Sequence, residues 1–274
     1  MNLTLNPRLT FDMPLAPPRP TQSELGELFR VTDKIPGWLN VSERSIIYSL
    51  GKSTDGPVLE MGCFKGKSTT CFLRARKATQ VAAHHVVVDL FKDHVDSGPG
   101  DFEKEFRSNV EPWIGKTDLH VLRMSTFEAG PPLRKILGAH PGFSGIFVDA
   151  NHSYNSVLKD ALLAHELVIP GGWIAFHDAI RWEGITEVLP ACMEIPQLEP
   201  YGFVGVYASI LLLRKPSRTE RFDSWRQHPK IRAYASWGKS RLARVVHKGT
   251  SVVMGSPLGK VVSKGRSLVQ KLKG

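Results

Sequence analysis

The chain has 274 residues, 42% of them hydrophobic, enough for one sizeable core with appendages. Its net charge of +10 comes from its end: residues 216–274 hold 14 Lys and Arg against 2 Asp and Glu, whereas residues 1–215 hold 22 against 24. Three cysteines at no metal-ligand spacing, no signal-like apolar stretch before Pro20 and no apolar run approaching the roughly 20 residues of a membrane span exclude a disulfide scaffold and an integral membrane protein, and lead us to expect a reducing, cytoplasmic setting.

Residues 1–20 hold five prolines and no periodic apolar pattern, so a disordered Pro-rich arm is expected. Residues 21–56 read as N-terminal helices. A short one over Thr21–Arg30 has Ser23 as its cap; after the turn at Ile35–Trp38, a second over Val41–Gly51 puts Ile46, Ile47 and Leu50 on one face. This segment is expected to cover the sheet, with a lid role for Trp38 as the alternative.

Residues 57–215 form the expected catalytic domain, and it opens on PVLEMGCFKGKSTT: a buried strand, a glycine turn and a helix start. Glycines suit such a corner because a Cβ would block close approach of a ligand to the backbone. A P-loop is excluded, since only Cys63, Phe64 and Lys65 lie between Gly62 and Gly66 and Met61 stands where a glycine is needed. A dinucleotide fingerprint fails as well, with Phe64 at its second glycine. The remaining pattern is acid first, Glu60 then Gly62 then Gly66. A carboxylate there repels phosphate and suits a ligand bearing an ammonium and a sulfonium, such as S-adenosylmethionine.

The next buried strand, His84–Asp89, ends in an acid placed to accept both hydroxyls of a ribose. A polar helix over Asp101–Val110 precedes a third strand, Asp118–Met124, and then Ser125. A fourth strand ends at Asp149, and a helix follows with Ser153 as cap until Pro170 and Gly171 stop it. Trp173–Phe176 is a fifth strand delivering His177 and Asp178, and Gly184–Met193 is helical. Gly202–Tyr207 and Ser209–Lys215 read as a closing hairpin or as one long bent strand. The alternation predicts a doubly wound, mostly parallel, Rossmann-like sheet of seven strands with a final antiparallel strand, and brings Glu60, Asp89, Asp149 and Asp178 to one rim. His84, His85, His94, His120, His140 and His165 have no evident partner and are read as structural or solvated.

Four segments, VLEMGCFKGKST at 58–69, VVVDLF at 86–91, FVDANHSYNSVLKD at 147–160 and PGGWIAFHD at 170–178, make the chain resemble class I S-adenosylmethionine-dependent methyltransferases, specifically the macrocin O-methyltransferase and cephalosporin-hydroxylase-like group. The resemblance spans roughly residues 35–214. It implies methyl transfer to a hydroxyl of a small molecule (a sugar, a glycosylated metabolite or a phenol). Glu60, Gly62, Cys63, Phe64, Gly66, Ser68, Asp89, Ser125 and Asp149 would surround the donor, while Asp149, His152 and His177 carry the chemistry. Related O-methyltransferases place a metal at positions matching Asp149, His177 and Asp178. Several carry an acidic pair where this chain has His177 and Asp178, which moves the site from Mg²⁺ toward Mn²⁺, Fe²⁺ or Zn²⁺, or removes the metal. His152 is the alternative actor, a base working near neutral pH.

Residues 216–274 are a basic, partly amphipathic tail. Leu242, Val245, Val246, Val252 and Val253 share one helical face, and Leu258, Val261, Val262, Leu268, Val269 and Leu272 another, with Lys and Arg opposite and glycines interrupting. The tail could pack on the body or on a second subunit of a homo-oligomer, stay disordered, or lie peripherally on an anionic membrane. Nucleic acid fits less well, because no Phe, Tyr or Trp follows Trp237. Two alternatives therefore stand beside the small-molecule enzyme: a nucleic-acid methyltransferase, and a non-catalytic nucleotide-binding module docked through its tail.

Overall fold

A computed structural model describes residues 17–92, 100–180 and 187–235. It divides the chain between His228 and Pro229, and the described part of the second unit is a helical stretch over 229–235. Most of the Pro-rich arm, the start of the expected 184–193 helix and the tail beyond 235 lie outside the described residues. Among those described, no helix is long and apolar enough to cross a membrane.

The first unit is built on one seven-stranded sheet in the order β3-β2-β1-β4-β5-β7-β6. The strands are β1 (Val58–Met61), β2 (His84–Asp89), β3 (Asp118–Arg123), β4 (Phe143–Val148), β5 (Val168–Phe176), β6 (Gly202–Tyr207) and β7 (Ile210–Arg214). β1 to β5 pair in parallel, and β7 runs antiparallel to both β5 and β6. The doubly wound sheet with one reversed strand is thus borne out, and the two closing segments are a hairpin around Ala208, whose φ is +54°.

The helices are α1 (Gln22–Thr32), α2 (Val41–Ser53), α3 (Lys67–Ala78), α4 (Phe102–Val110), α5 (Gly130–Leu137), α6 (Tyr154–Leu167) and α7 (Val188–Glu194). Three local expectations are corrected. α1 is capped by Thr21, not Ser23, because Thr21 and Glu24 form a reciprocal capping box. Ser153 occupies the N-cap of α6, yet its hydroxyl donates to Ser156 Oγ while Glu187 accepts the Tyr154 N–H. β5 begins at Val168, directly after α6, rather than at Trp173: Gly171, at φ +81°, lies within the strand where its register against β4 shifts between Val168 and Trp173.

α2 and α3 cover β1 with Ile46, Ile47, Leu50, Phe72 and Ala75 fully or nearly buried, against Phe147 and Trp173. A second cluster joins Val87, Phe91, Phe102, Phe106 and Val110 beneath the glycine turn. The Arg76 guanidinium is wholly buried and donates to the carbonyls of Thr54, Gly56 and Ala83, which ties the loops entering β1 and β2 together. The three cysteines are free and buried. Between β4 and β5, a Cβ on Gly145 would sit 2.1 Å from the Trp173 ring. Gly145→Ala should therefore lower unfolding free energy by about 1–3 kcal/mol, the cost of overpacking a filled core. Chemical denaturation measures this, and an unchanged midpoint would show that Trp173 can move aside.

Candidate functional site

The carboxyl ends of β1, β2, β4 and β5 are stitched by backbone hydrogen bonds that continue past the strands. Gly62 N–H donates to Val88 O at 2.8 Å, Asp149 N–H to Met61 O at 2.8 Å and His177 N–H to Val148 O at 3.0 Å. This puts Gly62, Asp89, Asp149 and His177 along one line. Gly62 has φ +86°, and a Cβ on it would lie 2.3 Å from the Asp149 carbonyl oxygen, so only glycine allows β1 and β4 to approach so closely here.

Asp89 holds the glycine turn. Its Oδ2 accepts the N–H groups of Cys63 (2.8 Å) and Phe64 (2.9 Å), and its Oδ1 accepts that of Phe91 (2.7 Å). Phe64, at φ +47°, sets its ring 5.2 Å from both Trp38 and Phe102. Lys67 reaches away from the turn and donates to Gly37 O at 2.8 Å, fastening the 36–39 loop over the start of α3. The Cys63 thiol is pushed well up by burial and by the Asp89 and Glu60 carboxylates, so it stays protonated and inert.

A cleft of about 750 Å³ opens along this line, within the range of small-molecule sites. Its walls include Gly62, Cys63, Phe64, Ser68, Asp89, Ser125, Asp149, His152, His177 and Asp178. Two expected donor residues are not on its walls. Gly66 serves as the left-handed N-cap of α3, where Phe106 and Val110 leave no room for a side chain. Glu60 does not reach the rim: wholly buried in the sheet, it puts Oε1 2.6 Å from Nε2 of the equally buried His85. Burial holds the His85 pKa below the usual imidazole range against the pull of Glu60. Parity is the reason, for Glu60 shares a sheet face with Val58, whose partner in β2 is His85.

The other end of the cleft is a chain of acids and imidazoles. Asp149 Oδ1 lies 2.8 Å from His177 Nδ1 and 3.2 Å from His152 Nε2; His152 Nδ1 lies 3.3 Å from Asp178 Oδ2. Behind them, Glu43 of α2 puts Oε2 3.6 Å from His177 Nε2, and its Oε1 accepts from the Ser209 hydroxyl at 2.6 Å. Burial alone would raise Asp149 and Glu43 and lower His177, but their mutual attraction wins. Asp149 is held down at about 2, Glu43 is lowered, and His177 is raised well above 6.5. Asp178 adopts φ +52°, a conformation rarely taken outside glycine and concentrated at functional sites.

The donor atoms of Asp149, His152 and His177 all lie within 4.8 Å of one another, so His152, rather than the expected Asp178, completes the set that could hold a cation. Neither ring nitrogen of His177 makes a hydrogen bond of good geometry. Two imidazoles and a carboxylate suit Mn²⁺ or another first-row ion better than Mg²⁺.

The Pro36–Leu39 loop, with the half-exposed Trp38 considered above as a lid, forms one lip of the cleft. Other lining residues were not singled out from the sequence: Lys67 beside that loop, and Phe127, with Lys159 Nζ 4.4 Å from its ring centroid. Asp160 of α6 faces the cleft although only 1% exposed, and burial pushes its pKa up to about 6 against a hydrogen bond from Thr126. One of its carboxylate oxygens has no hydrogen-bond partner. Its signal was hidden, as it reads as one more polar position on a helix.

A family model described as a methyltransferase domain matches residues 59–179. None of the curated proteins compared matches the chain. Among solved structures the chain is similar to cofactor-bound Rv0187 from MTB, at 15% identity over 72% of this chain and 92% of that one, with a TM-score of 0.49. It is similar also to CalS11, a TDP-rhamnose 3'-O-methyltransferase of calicheamicin biosynthesis (12% identity, 70% and 93% coverage, TM-score 0.47). An O-methyltransferase from Bacillus cereus in complex with SAH is a third (15% identity, 71% and 91% coverage, TM-score 0.47). Residues 59–179, which hold β1 to β5 of the seven-stranded sheet with one reversed strand, match the methyltransferase-domain model, and this bears out the resemblance to the class I S-adenosylmethionine-dependent methyltransferases.

Proposed function

We propose that this protein transfers the methyl group of S-adenosylmethionine to a hydroxyl oxygen of a small molecule, with a sugar, a glycosylated metabolite or a phenol as the acceptor class. The observation that carries this reading is one cleft joining the Asp89-braced glycine turn to the Asp149–His152–His177–Asp178 cluster. The donor would lie along the turn, its ribose near Asp89 and its base between Ser125 and Phe64. Glu60 acts only from behind, by fixing His85 and the end of β1.

Transfer is an in-line displacement: the acceptor oxygen bonds to the methyl carbon, the carbon–sulfur bond breaks, and the sulfonium leaves as a neutral thioether. Holding the two in line supplies most of the rate. His152, partly exposed at the mouth of the cluster, accepts the hydroxyl proton on one ring nitrogen as the acceptor displaces the carboxylate beside it, while the carboxylate on the other nitrogen orients the ring and stabilises the imidazolium formed. His177, already an imidazolium, keeps Asp149 ionised and in place. A divalent ion would be the alternative arrangement: held by Asp149 with His152 and His177 both neutral, in place of the imidazolium and the base, it would supply Lewis acidity toward the acceptor oxygen when bound.

Asp89→Ala should weaken S-adenosylmethionine binding by about 10- to 100-fold, since charge-assisted hydrogen bonds of about 1.5–3 kcal/mol are lost. Asp149→Asn should keep donor affinity and lose about 10²- to 10⁴-fold in turnover. Calorimetry and single-turnover assays separate the two, and equal donor affinity in wild type and Asp89→Ala would sink the assignment.

The His177 pair also predicts a pH dependence of stability. A raised folded pKa stabilises fully below the unfolded value near 6.5, and that stabilisation is lost as pH rises through the folded value. Wild type should therefore exceed His177→Gln in unfolding free energy most at pH 5–6, with the gap narrowing in alkaline buffer. A gap that stays constant or widens would mean that His177 is neutral.

A further inference from the structure

A second group of metal-ligating side chains lies on an outer strand, apart from the cleft. We infer that His84, Asp118 and His120 form a surface site for a first-row divalent cation, of which Zn²⁺ is the biologically available representative.

The sequence pattern and the strand register build the site. Asp118 and His120 are two apart on β3 and so point to one face, opposite to Leu119 and Val121, which pack into the core beneath α4. β2 and β3 run parallel with His84 directly paired to Asp118, which brings its imidazole to the same face. Three residues 36 positions apart at most thus form a compact triangle on paired backbones, with no loop to hold in place.

The triangle has the dimensions of a metal's coordination face. His84 Nδ1 is 3.0 Å from Asp118 Oδ2, His120 Nε2 is 2.9 Å from the same oxygen, and the two nitrogens are 3.1 Å apart. Adjacent ligands of an octahedral ion with bonds of about 2.1 Å are separated by about 3.0 Å. All three edges therefore fit one ion capping the face. The alternative, three simultaneous hydrogen bonds, is poorly satisfied: if both imidazoles donate to Asp118, two N–H groups confront each other at 3.1 Å; if one donates to the other, a contact to the carboxylate lacks its proton. An ion meeting three lone pairs removes that conflict.

Side-chain exposures of 35%, 60% and 31% for His84, Asp118 and His120 leave the outer coordination positions to water. Two imidazoles with one carboxylate select Zn²⁺, Ni²⁺, Cu²⁺ or Co²⁺ over Mg²⁺ or Ca²⁺. β3 is the edge strand of the sheet, so an ion bridging it to β2 would pin the exposed edge in register and stabilise the fold without entering the reaction.

The test uses the full chain, stripped of metal, at pH 7.5. Zn²⁺ titration by calorimetry and Co²⁺ titration by visible absorption are run on wild type, on His120→Ala and on Asp118→Asn, which keeps the side-chain shape. Wild type should bind one more equivalent than either variant, or bind it at least about tenfold more tightly, and excess Mg²⁺ should not compete. Zn²⁺ should raise the unfolding temperature of wild type more than that of the variants, and methyl transfer should be equal in all three. Identical stoichiometry and affinity in wild type and both variants would overturn the site. So would a loss of metal caused only by changes in Asp149, His152 or His177, since the ion would then belong to the cleft.

Discussion

The site depends on one carboxylate. Asp89 accepts three backbone N–H groups, two from the glycine turn after β1 and one from the segment after β2. Backbone donors at a turn are costly to leave unpaired, and a charged acceptor makes the strongest bonds available to them. Asp89 therefore fixes the turn that carries Cys63 and Phe64 before any ligand arrives. The positive φ of Phe64 is tolerated because those bonds over-determine the loop. What the ligand meets is then a preformed edge: an acid, an aromatic ring and the free end of α3.

The opposite end of the cleft is arranged by compensation between burial and charge. Glu43, Asp149, Asp178 and His177 are each poorly placed for an isolated charge, and water is largely excluded around His177. Together they form an alternating chain in which an imidazolium neutralises part of three carboxylates. His152 caps this chain at the solvent side, its side chain 37% exposed where that of His177 is 5%. α2 matters for more than packing, because Glu43 anchors the far side of His177 and, through Ser209, the β6–β7 turn.

Much of this was legible in the sequence because parallel strands are nearly continuous apolar runs. VLEM, HHVVVD, FSGIFV and the end of VIPGGWIAF each announce a strand, and its last residue and the two that follow are rim positions by topology. Asp89, Asp149, His177 and Asp178 follow from that alone. Glu60 misled because spacing says which strand end it occupies but not which face it takes, and its partner His85 becomes visible only once Val58 is known to pair with His85. Glu43 was illegible for a related reason: on a helix whose apolar face is plain, a glutamate in the first turn reads as solvated, and nothing local tells that His177 waits across the core. The strand start at Val168 was hidden by Pro170 and Gly171, which end a helix equally well whether a loop or a strand comes next.

The sign of the cleft's field decides what class of ligand it suits. A glycine turn followed by Lys67 and Ser68 could have cradled phosphate, and the free N–H groups of a helix start favour anions. Here Lys67 is turned onto the Gly37 carbonyl, with its pKa lowered by burial, and the turn's other cation, Lys65, is paired with Glu105 at 2.9 Å. The N–H groups of Cys63 and Phe64 are already committed to Asp89. With those donors used internally and with Asp89, Asp149 and Asp178 along the walls, the cleft is poor at holding a pyrophosphate and well suited to a molecule that is positive at its reactive centre. A sulfonium loses its charge as its methyl group departs. An acidic wall that favours the charged reactant would thus slow the step unless a proton appears nearby as the sulfonium charge vanishes; in the mechanism proposed above, the proton that His152 takes from the acceptor is that replacement.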